Sequence, residues 1–141
     1  MTQKTIVLMR HSKALDMYQS GAKDDFSRPL SQQGILKAKE QASKLKEEIN
    51  TAEVILVSPL LRAKQTAKIV AETLAINKTE VMTELADCMD ADNYINAVKD
   101  LAEKYETAIL IGHNPAVSQT AAFYKKQFIS MSAGDYIIIK I

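Results

Sequence analysis

Both histidines of the chain, His11 and His113, stand at the ends of apolar segments, and so do Arg10 and Arg62. Neutral imidazole is a competent nucleophile, and the planar guanidinium of arginine donates paired hydrogen bonds to phosphate while staying charged. If the fold brings these four side chains together, they suit a pocket for a doubly charged tetrahedral anion.

The apolar segments that precede these residues predict buried strands. Strands that are covered on both faces read as continuous runs of Val, Ile and Leu rather than as an alternating pattern. Such runs occupy residues 5–9, 53–57, 108–111 and 136–141, with a shorter candidate at 80–82.

Amphipathic helices are predicted between the strands, because apolar residues recur at spacings of three and four over 35–49, 60–74 and 95–105. Alternating strands and helices predict an α/β fold, a three-layer sandwich around a mostly parallel central sheet. Residues 11–30 show no clear period and are expected to form a long loop, and loops of that length are often functional. A chain of 141 residues is expected to form one domain over 1–141.

The strand ends are where we expect the chemistry, because open α/β sheets bind ligands outside the carboxyl ends of their strands. Ser58-Pro59 and Asn114-Pro115 each resemble a helix cap followed by proline at the first helical position. A helix that begins there directs unpaired N–H groups at the same edge and favours an anion.

Composition excludes several classes of protein. The 18 basic and 17 acidic side chains give a net charge of +1, which argues against a nucleic-acid partner, and 47% apolar residues argue against disorder. The single Cys88 cannot form an intramolecular disulfide or a cysteine-ligated zinc site. Since no secretory signal or run of about 20 apolar residues is visible, we expect a cytoplasmic protein without a membrane partner. No carboxylate cluster suggests a metal site, and no cofactor is expected.

Three motifs carry a resemblance to a known family. Arg10-His11-Ser12 resembles the Arg-His-Gly signature of the histidine phosphatase superfamily, branch 1. The segment SPLLRAKQTA at 58–67 is similar to its second arginine motif, and Gly112-His113 to its second histidine motif. The segment RPLSQQG at 28–34 and the short chain resemble its SixA-like phosphohistidine phosphatases.

The resemblance implies a phosphoglycerate-mutase-like fold with a minimal cap, because residues 74–92 are too few to build a lid. Ser12 stands where the family usually has glycine, which reduces backbone freedom there, and we expect it to be tolerated. Glu84 lies where the mutase-like relatives keep their proton donor.

The resemblance also implies a mechanism. His11 would attack phosphorus to form a covalent phosphohistidine, which water then hydrolyses. Arg10, Arg62 and His113 would hold the phosphoryl oxygens, with Arg28 as a further clamp. Neighbouring arginines should keep His11 neutral. Arg28 could equally form a surface salt bridge.

The leaving group decides the substrate class. A phosphate ester usually needs a general acid, whereas a P–N bond is weaker and needs less help. Because Asp25 and Glu84 are the only candidate proton donors, and either could be merely structural, we expect phosphohistidine on a signalling or phosphotransfer protein. The alternatives are a phosphatase of small phosphate esters or nucleotides, and a non-catalytic phosphoprotein-binding module.

Overall fold

A computed structural model describes residues 3–141 and contains one five-stranded sheet. The predicted strands are confirmed, with bounds that differ by one or two residues. The strands are β1 (Thr5–Arg10), β2 (Val54–Val57), β3 (Thr79–Val81), β4 (Thr107–Gly112) and β5 (Tyr136–Lys140).

Helices follow most of the strands, and the three predicted from apolar spacing are all present. The helices are α1 (Met17–Ser20), α2 (Gln32–Ile49), α3 (Leu61–Leu74), α4 (Ala91–Lys104) and α5 (Ala116–Lys125). The predicted loop over residues 11–30 is wrong in part, because it holds α1 and a 3-10 turn at Asp25–Ser27. The Asp16 and Asp24 side chains cap these short turns by accepting backbone N–H groups. Because the turns do not depend on a repeated apolar spacing, the sequence pattern did not reveal them. In the described range, no helix is both long and apolar enough to cross a membrane.

The sheet is mostly parallel, as the sequence predicts. Its strand order is β3-β2-β4-β1-β5, and only the edge strand β5 runs antiparallel to its neighbour. Parallel neighbours direct their carboxyl ends to one edge of the sheet. The segments that follow β1, β2 and β4 therefore leave the sheet on the same side.

Helices cover both faces of the sheet, so the three-layer sandwich is confirmed. Along β1, Ile6 and Leu8 pack with α4 and α5, whereas Val7 and Met9 pack with α2 and α3. All four side chains are fully buried. Burying one such side chain stabilises the fold by about 1.5–3 kcal/mol, which explains the unbroken apolar run.

The predicted helix caps are wrong in register. Helix α3 has Leu60 at its N-cap and α5 has Pro115, and neither of these two residues has a side chain that caps the helix. The Ser58 hydroxyl accepts the Leu60 N–H one step earlier, in the turn before the helix. The Ser58 hydroxyl also bonds His113. Asn114 donates to the Met131 carbonyl, and its Oδ1 accepts the Ser118 N–H at 3.3 Å, so it bonds the first turn of α5 from one position before the N-cap.

The chain after β1 is fastened to α2 and α3 by Ser12. Its N–H donates to Thr66 Oγ1 at 3.0 Å, and its hydroxyl donates to the Gly34 carbonyl at 2.7 Å. Ser12 does not adopt a positive φ, so this position does not require glycine. The hydroxyl adds a buried contact that glycine could not make.

Glycine is required instead at residue 34, where α2 meets this segment. A Cβ on Gly34 would lie 2.0 Å from the Lys13 carbonyl oxygen, a backbone atom that cannot move away cheaply. We expect Gly34→Ala to lower the free energy of unfolding by about 1–3 kcal/mol, as over-packing does. Urea denaturation followed by circular dichroism measures the change.

Ser43→Ala, at an exposed position of the same helix, is the matched control. Glycine in an unobstructed helix costs about 1 kcal/mol relative to alanine. A Gly34→Ala variant that is more stable than the parent would therefore show that the close approach to Lys13 does not exist.

Candidate active site

The two histidines meet because β1 and β4 end in register. Arg10 pairs with Gly112, and the His11 N–H continues the ladder by donating to the Gly112 carbonyl at 3.0 Å. The next residue on each strand is a histidine, and their ring centroids lie 5.0 Å apart. The adjacent strand β2 delivers Ser58, whose N–H donates to the Ile111 carbonyl.

These strand ends form the floor of an open cleft of about 280 Å³. Its walls combine the strand ends with the loop after β1, the start of α3 and the segment after β3. The lining residues are Arg10, His11, Asp25, Arg28, Leu60, Arg62, Ala86, Cys88, His113 and Asn114.

His11 is held as a neutral imidazole with one nitrogen free. Its Nδ1 lies 2.7 Å from the Ser12 carbonyl oxygen, which can only accept, so Nδ1 carries the proton and Nε2 keeps its lone pair. The pKa of His11 is lowered to about 4, mainly by burial and in part by the charges of Arg62, Arg10 and Arg28, against the opposing effect of the Ser12 hydrogen bond. At neutral pH this side chain has a fixed orientation and an unprotonated Nε2.

His113 is also neutral. Its pKa is lowered to about 3, mainly by burial and in part by the proximity of His11 and Arg62. Its Nε2 forms a 2.7 Å hydrogen bond with the Ser58 hydroxyl, so the conformation of the ring is fixed from β2. Only 4% of His113 is exposed.

Arg10 leaves one buried donor unpaired. Its Nη1 donates to the Met131 carbonyl at 3.0 Å, which anchors the side chain to the segment before β5. Its Nε is buried and has no hydrogen-bond partner in residues 3–141. A buried N–H of a charged group destabilises the protein when it has no acceptor. An oxyanion bound in the cleft could accept this hydrogen bond and remove that cost, so the cleft favours an anion.

Arg28 and Arg62 converge on the carboxylate of Asp25. Arg28 Nη1 lies 2.8 Å from Asp25 Oδ1, and Arg62 Nη2 lies 3.2 Å from Asp25 Oδ2. Arg28 is tied further to the Leu15 carbonyl, and Arg62 to the backbone carbonyl of Asp25. The surface salt bridge considered for Arg28 therefore exists, and it forms at the mouth of the cleft.

The two candidate proton donors differ in position. Glu84 does not suit the role predicted for it, because it is exposed and does not line the cleft. The 3-10 turn at Thr83–Ala86 directs it outward, whereas Ala86 and Cys88 form the wall. Asp25 lies in the cleft, but its hydrogen bond with Arg28 is the main cause of a pKa below the ordinary 3.8, and Arg62 lowers it further. At neutral pH Asp25 is therefore a carboxylate and not a proton donor.

Two residues of the site were not predicted from the sequence. Thr66 Oγ1 donates to the Arg62 carbonyl and accepts the Ser12 N–H, so it joins the two arginine segments. Its position four residues after Arg62, on one face of α3, was a signal that could have found it. Cys88, for which the sequence indicated no role in the site, also lines the cleft. Over residues 3–141 no group of three or more His, Cys, Asp or Glu side chains is arranged to hold a metal ion.

Comparisons with known proteins found similar sequences. The family described as "Histidine phosphatase superfamily (branch 1)" matches residues 6–109. Phosphohistidine phosphatase SixA of Escherichia coli (strain K12) is 34% identical over 122 residues, which cover 83% of this chain and 71% of that protein.

Solved structures of similar proteins have the same fold. The protein histidine phosphatase SixA complexed with tungstate superposes with a TM-score of 0.83 at 29% identity, covering 95% of this chain and 86% of that one. A putative phosphohistidine phosphatase SixA from Agrobacterium tumefaciens gives a TM-score of 0.84 at 18% identity, covering 96% and 90%. The second likeness concerns the fold alone.

The lowered pKa values predict how the protein responds to acid. We expect NMR titration to show both imidazoles neutral at pH 6, with His11 gaining its proton near pH 4 and His113 near pH 3. Unfolded histidines bind protons below about pH 6.5, so the unfolded chain then holds more protons than the folded one. The free energy of unfolding should therefore fall as the pH drops from about 6.5 to 4.

A His113→Gln variant assigns the two ring signals. An imidazole that titrates at or above 6.5 in the folded protein, or a stability that is flat over this range, would contradict the burial of neutral histidines.

Proposed function

The chain belongs to the histidine phosphatase superfamily (branch 1) and is a phosphatase, and we propose that it hydrolyses phosphohistidine on a protein through a covalent phosphohistidine intermediate. The observation that carries this proposal is the neutral His11 with its free Nε2 in a cleft lined by Arg10, Arg28 and Arg62. A nucleophile without charge and three fixed cations suit attack on a phosphoryl dianion.

In the first step, His11 Nε2 attacks the phosphorus atom and forms a new N–P bond. The P–N bond to the substrate imidazole breaks, and its electron pair returns to the substrate nitrogen. If the other nitrogen of that ring carries a proton, the ring leaves as neutral imidazole and needs no proton donor. The Nδ1–H bond to the Ser12 carbonyl stabilises the positive charge that develops on the His11 ring.

In the second step, the oxygen of a water molecule attacks the same phosphorus. The electron pair of the Nε2–P bond returns to Nε2, which restores the neutral imidazole, and inorganic phosphate leaves as H2PO4⁻ with the water oxygen and both of its protons. The cleft is open at Asp25, whose side chain is 62% exposed, so water can reach the intermediate.

The cations and His113 serve both steps, because charge spreads over the phosphoryl oxygens in the transition state. Arg10 offers its unpaired Nε, and Arg62 and Arg28 offer guanidinium groups at the cleft mouth. His113 supplies a neutral ring beside the nucleophile. Such fixed donors act without having to reorganise during the reaction.

The absence of a suitable acid from both candidate positions supports a P–N rather than a P–O substrate. Asp25 is ionised and Glu84 lies outside the cleft, so an alkoxide leaving group would receive no proton from either. Departure of alkoxide without an acid is slow. This disfavours the small phosphate esters considered as the alternative, and the poised His11 disfavours a pure binding module.

A protein substrate is supported by the shape of the site and by the relatives. Between β3 and α4 the chain forms only a 3-10 turn, so in the part that the structure describes no inserted lid narrows access. A relative of 34% identity is named a phosphohistidine phosphatase, and another structure holds tungstate, a tetrahedral oxyanion. We place the reaction in the cytoplasm, on a phosphotransfer or signalling protein that carries phosphohistidine.

The test compares substrates and traps the intermediate. We expect kcat/KM for a histidine-phosphorylated phosphotransfer protein to exceed that for sugar phosphates and nucleotides. Brief incubation with the ³²P-labelled protein should leave label on the enzyme that is lost in acid and retained in base, as phosphohistidine is. His11→Ala should carry none.

Two results would overturn parts of this proposal separately. Faster turnover of small esters removes the protein substrate but leaves the mechanism. Normal turnover by His11→Ala, or label that survives acid, removes His11 as the nucleophile. Circular dichroism checks that His11→Ala is folded, and Lys64→Ala, at an exposed position of α3, is the control variant that should keep both turnover and label.

Arg62 tests the electrostatic part of the mechanism. We expect Arg62→Ala to lower kcat by about 100-fold to 1,000-fold, or about 3–4 kcal/mol, because one fixed donor to the transition state is lost. Lys64→Ala, at an exposed position of the same helix, is the control. Steady-state kinetics on folded protein measure the effect, and a loss below tenfold would make Arg62 peripheral.

A further inference from the structure

Tyr94 is a fully buried tyrosine on α4 whose hydroxyl joins two parts of the site. It accepts the backbone N–H of His113 at 2.9 Å and donates to the Leu85 carbonyl at 2.6 Å. Each hydrogen bond is well within normal geometry. Burial raises the pKa of Tyr94, so the hydroxyl keeps its proton and can both donate and accept.

The two partners of this hydroxyl lie on different sides of the cleft. His113 follows β4 and forms part of the floor, whereas Leu85 belongs to the 3-10 turn that continues into the wall residues Ala86 and Cys88. The segment also bonds directly to the helix after His113, because the Cys88 carbonyl accepts the Ala116 N–H at 2.9 Å. Tyr94 is therefore placed between the floor and the wall.

Gly112 shows how closely the tyrosine packs against the strand end. A Cβ at this position would lie 2.4 Å from the Tyr94 hydroxyl oxygen and 2.5 Å from its ring. Only glycine leaves room for the hydroxyl to reach the next N–H along the chain. Gly112 and Tyr94 are therefore complementary in size.

We propose that Tyr94 is a positioning residue that sets the backbone of His113 and holds the cleft wall at Leu85 in register with it. The inference rests on the role proposed above for His113. Tyr94 does not line the cleft and so does not touch the phosphoryl group. It acts through His113, whose ring is fixed at its far end by Ser58.

The energetic reason is that both partners are buried polar groups. Without the hydroxyl, the His113 N–H and the Leu85 carbonyl lose their shared partner, and a buried group cannot stay unpaired without cost. The backbone at His113 then shifts to find another partner. A displacement of about 1 Å at a reacting group can cost roughly 100-fold in rate.

The test uses Tyr94→Phe, which keeps the ring and removes only the hydroxyl. With p-nitrophenyl phosphate as the probe, we expect kcat to fall about tenfold to 100-fold, while KM changes less than about threefold. In the free enzyme, the His113 amide proton should move upfield because it loses its acceptor. Neither change follows from a simple loss of stability.

Val98→Ala is the matched control, since it creates a cavity in the same helix at a buried side chain that does not line the cleft. Both variants should be less stable, but only Tyr94→Phe should lose kcat. Gly112→Ala provides a second route, because it retains the hydroxyl and forces it away from His113. It should reproduce the loss of kcat even if Tyr94→Phe does not fold.

His113→Ala separates this inference from the proposed function. If His113→Ala loses activity and folded Tyr94→Phe keeps it, the positioning role is wrong and the proposed function stands. If His113→Ala keeps activity, the role proposed for His113 is wrong, and the inference falls with it. Equal loss of kcat in Val98→Ala and Tyr94→Phe would reduce Tyr94 to a structural residue.

Discussion

The parallel register between β1 and β4 is the constraint on which the site depends. Because Arg10 stands opposite Gly112, the residues that follow both strands leave the sheet side by side. A slip of one residue would move a histidine by about 3.3 Å and turn its side chain to the opposite face. The buried side chains on both faces of β1, among them Val7 and Leu8, make such a slip prohibitively costly.

Burial gives this cleft its chemical character as much as its arginines do. Placing two imidazoles where water is scarce would be unfavourable if they were charged, and the neighbouring guanidinium groups add to that penalty. The histidines therefore stay neutral, and each ring uses one nitrogen to bond a group of the scaffold: His11 the Ser12 carbonyl and His113 the Ser58 hydroxyl. The result is a preorganised site whose positive charge belongs to residues that cannot lose it.

The sequence predicted most of the fold and the residues that line the cleft, because both follow from local patterns. Continuous apolar runs reveal buried strands, and His11 and His113 each stand two residues after the end of such a run. The positions of Glu84 and of the helix starts could not be predicted in this way. Whether a side chain in a 3-10 turn faces the cleft depends on tertiary packing, and Ser58 serves His113 and the turn before α3 instead of capping the helix.

The contact between Tyr94 and His113 could not be predicted from local patterns either. Its apolar neighbours on α4 predicted a helix, but nothing local indicates that its hydroxyl reaches a residue 19 positions further along the chain. Contacts of this kind are fixed by how helices dock on the sheet, and they carry no short motif. Thr66 differs, because its helical spacing from Arg62 is visible in the sequence.

The Asp25 carboxylate shared by Arg28 and Arg62 has a consequence for turnover. Between catalytic cycles this single carboxylate already pairs with both guanidinium groups and offsets one of their two positive charges, so an arriving dianion displaces a bonded partner instead of gaining two wholly new ion pairs. Net affinity is thereby reduced for every dianion, inorganic phosphate included. Three arginines without a carboxylate partner would bind the product phosphate tightly and slow its release. The Asp25 carboxylate takes the place of the phosphate on Arg28 and Arg62 as the phosphate leaves.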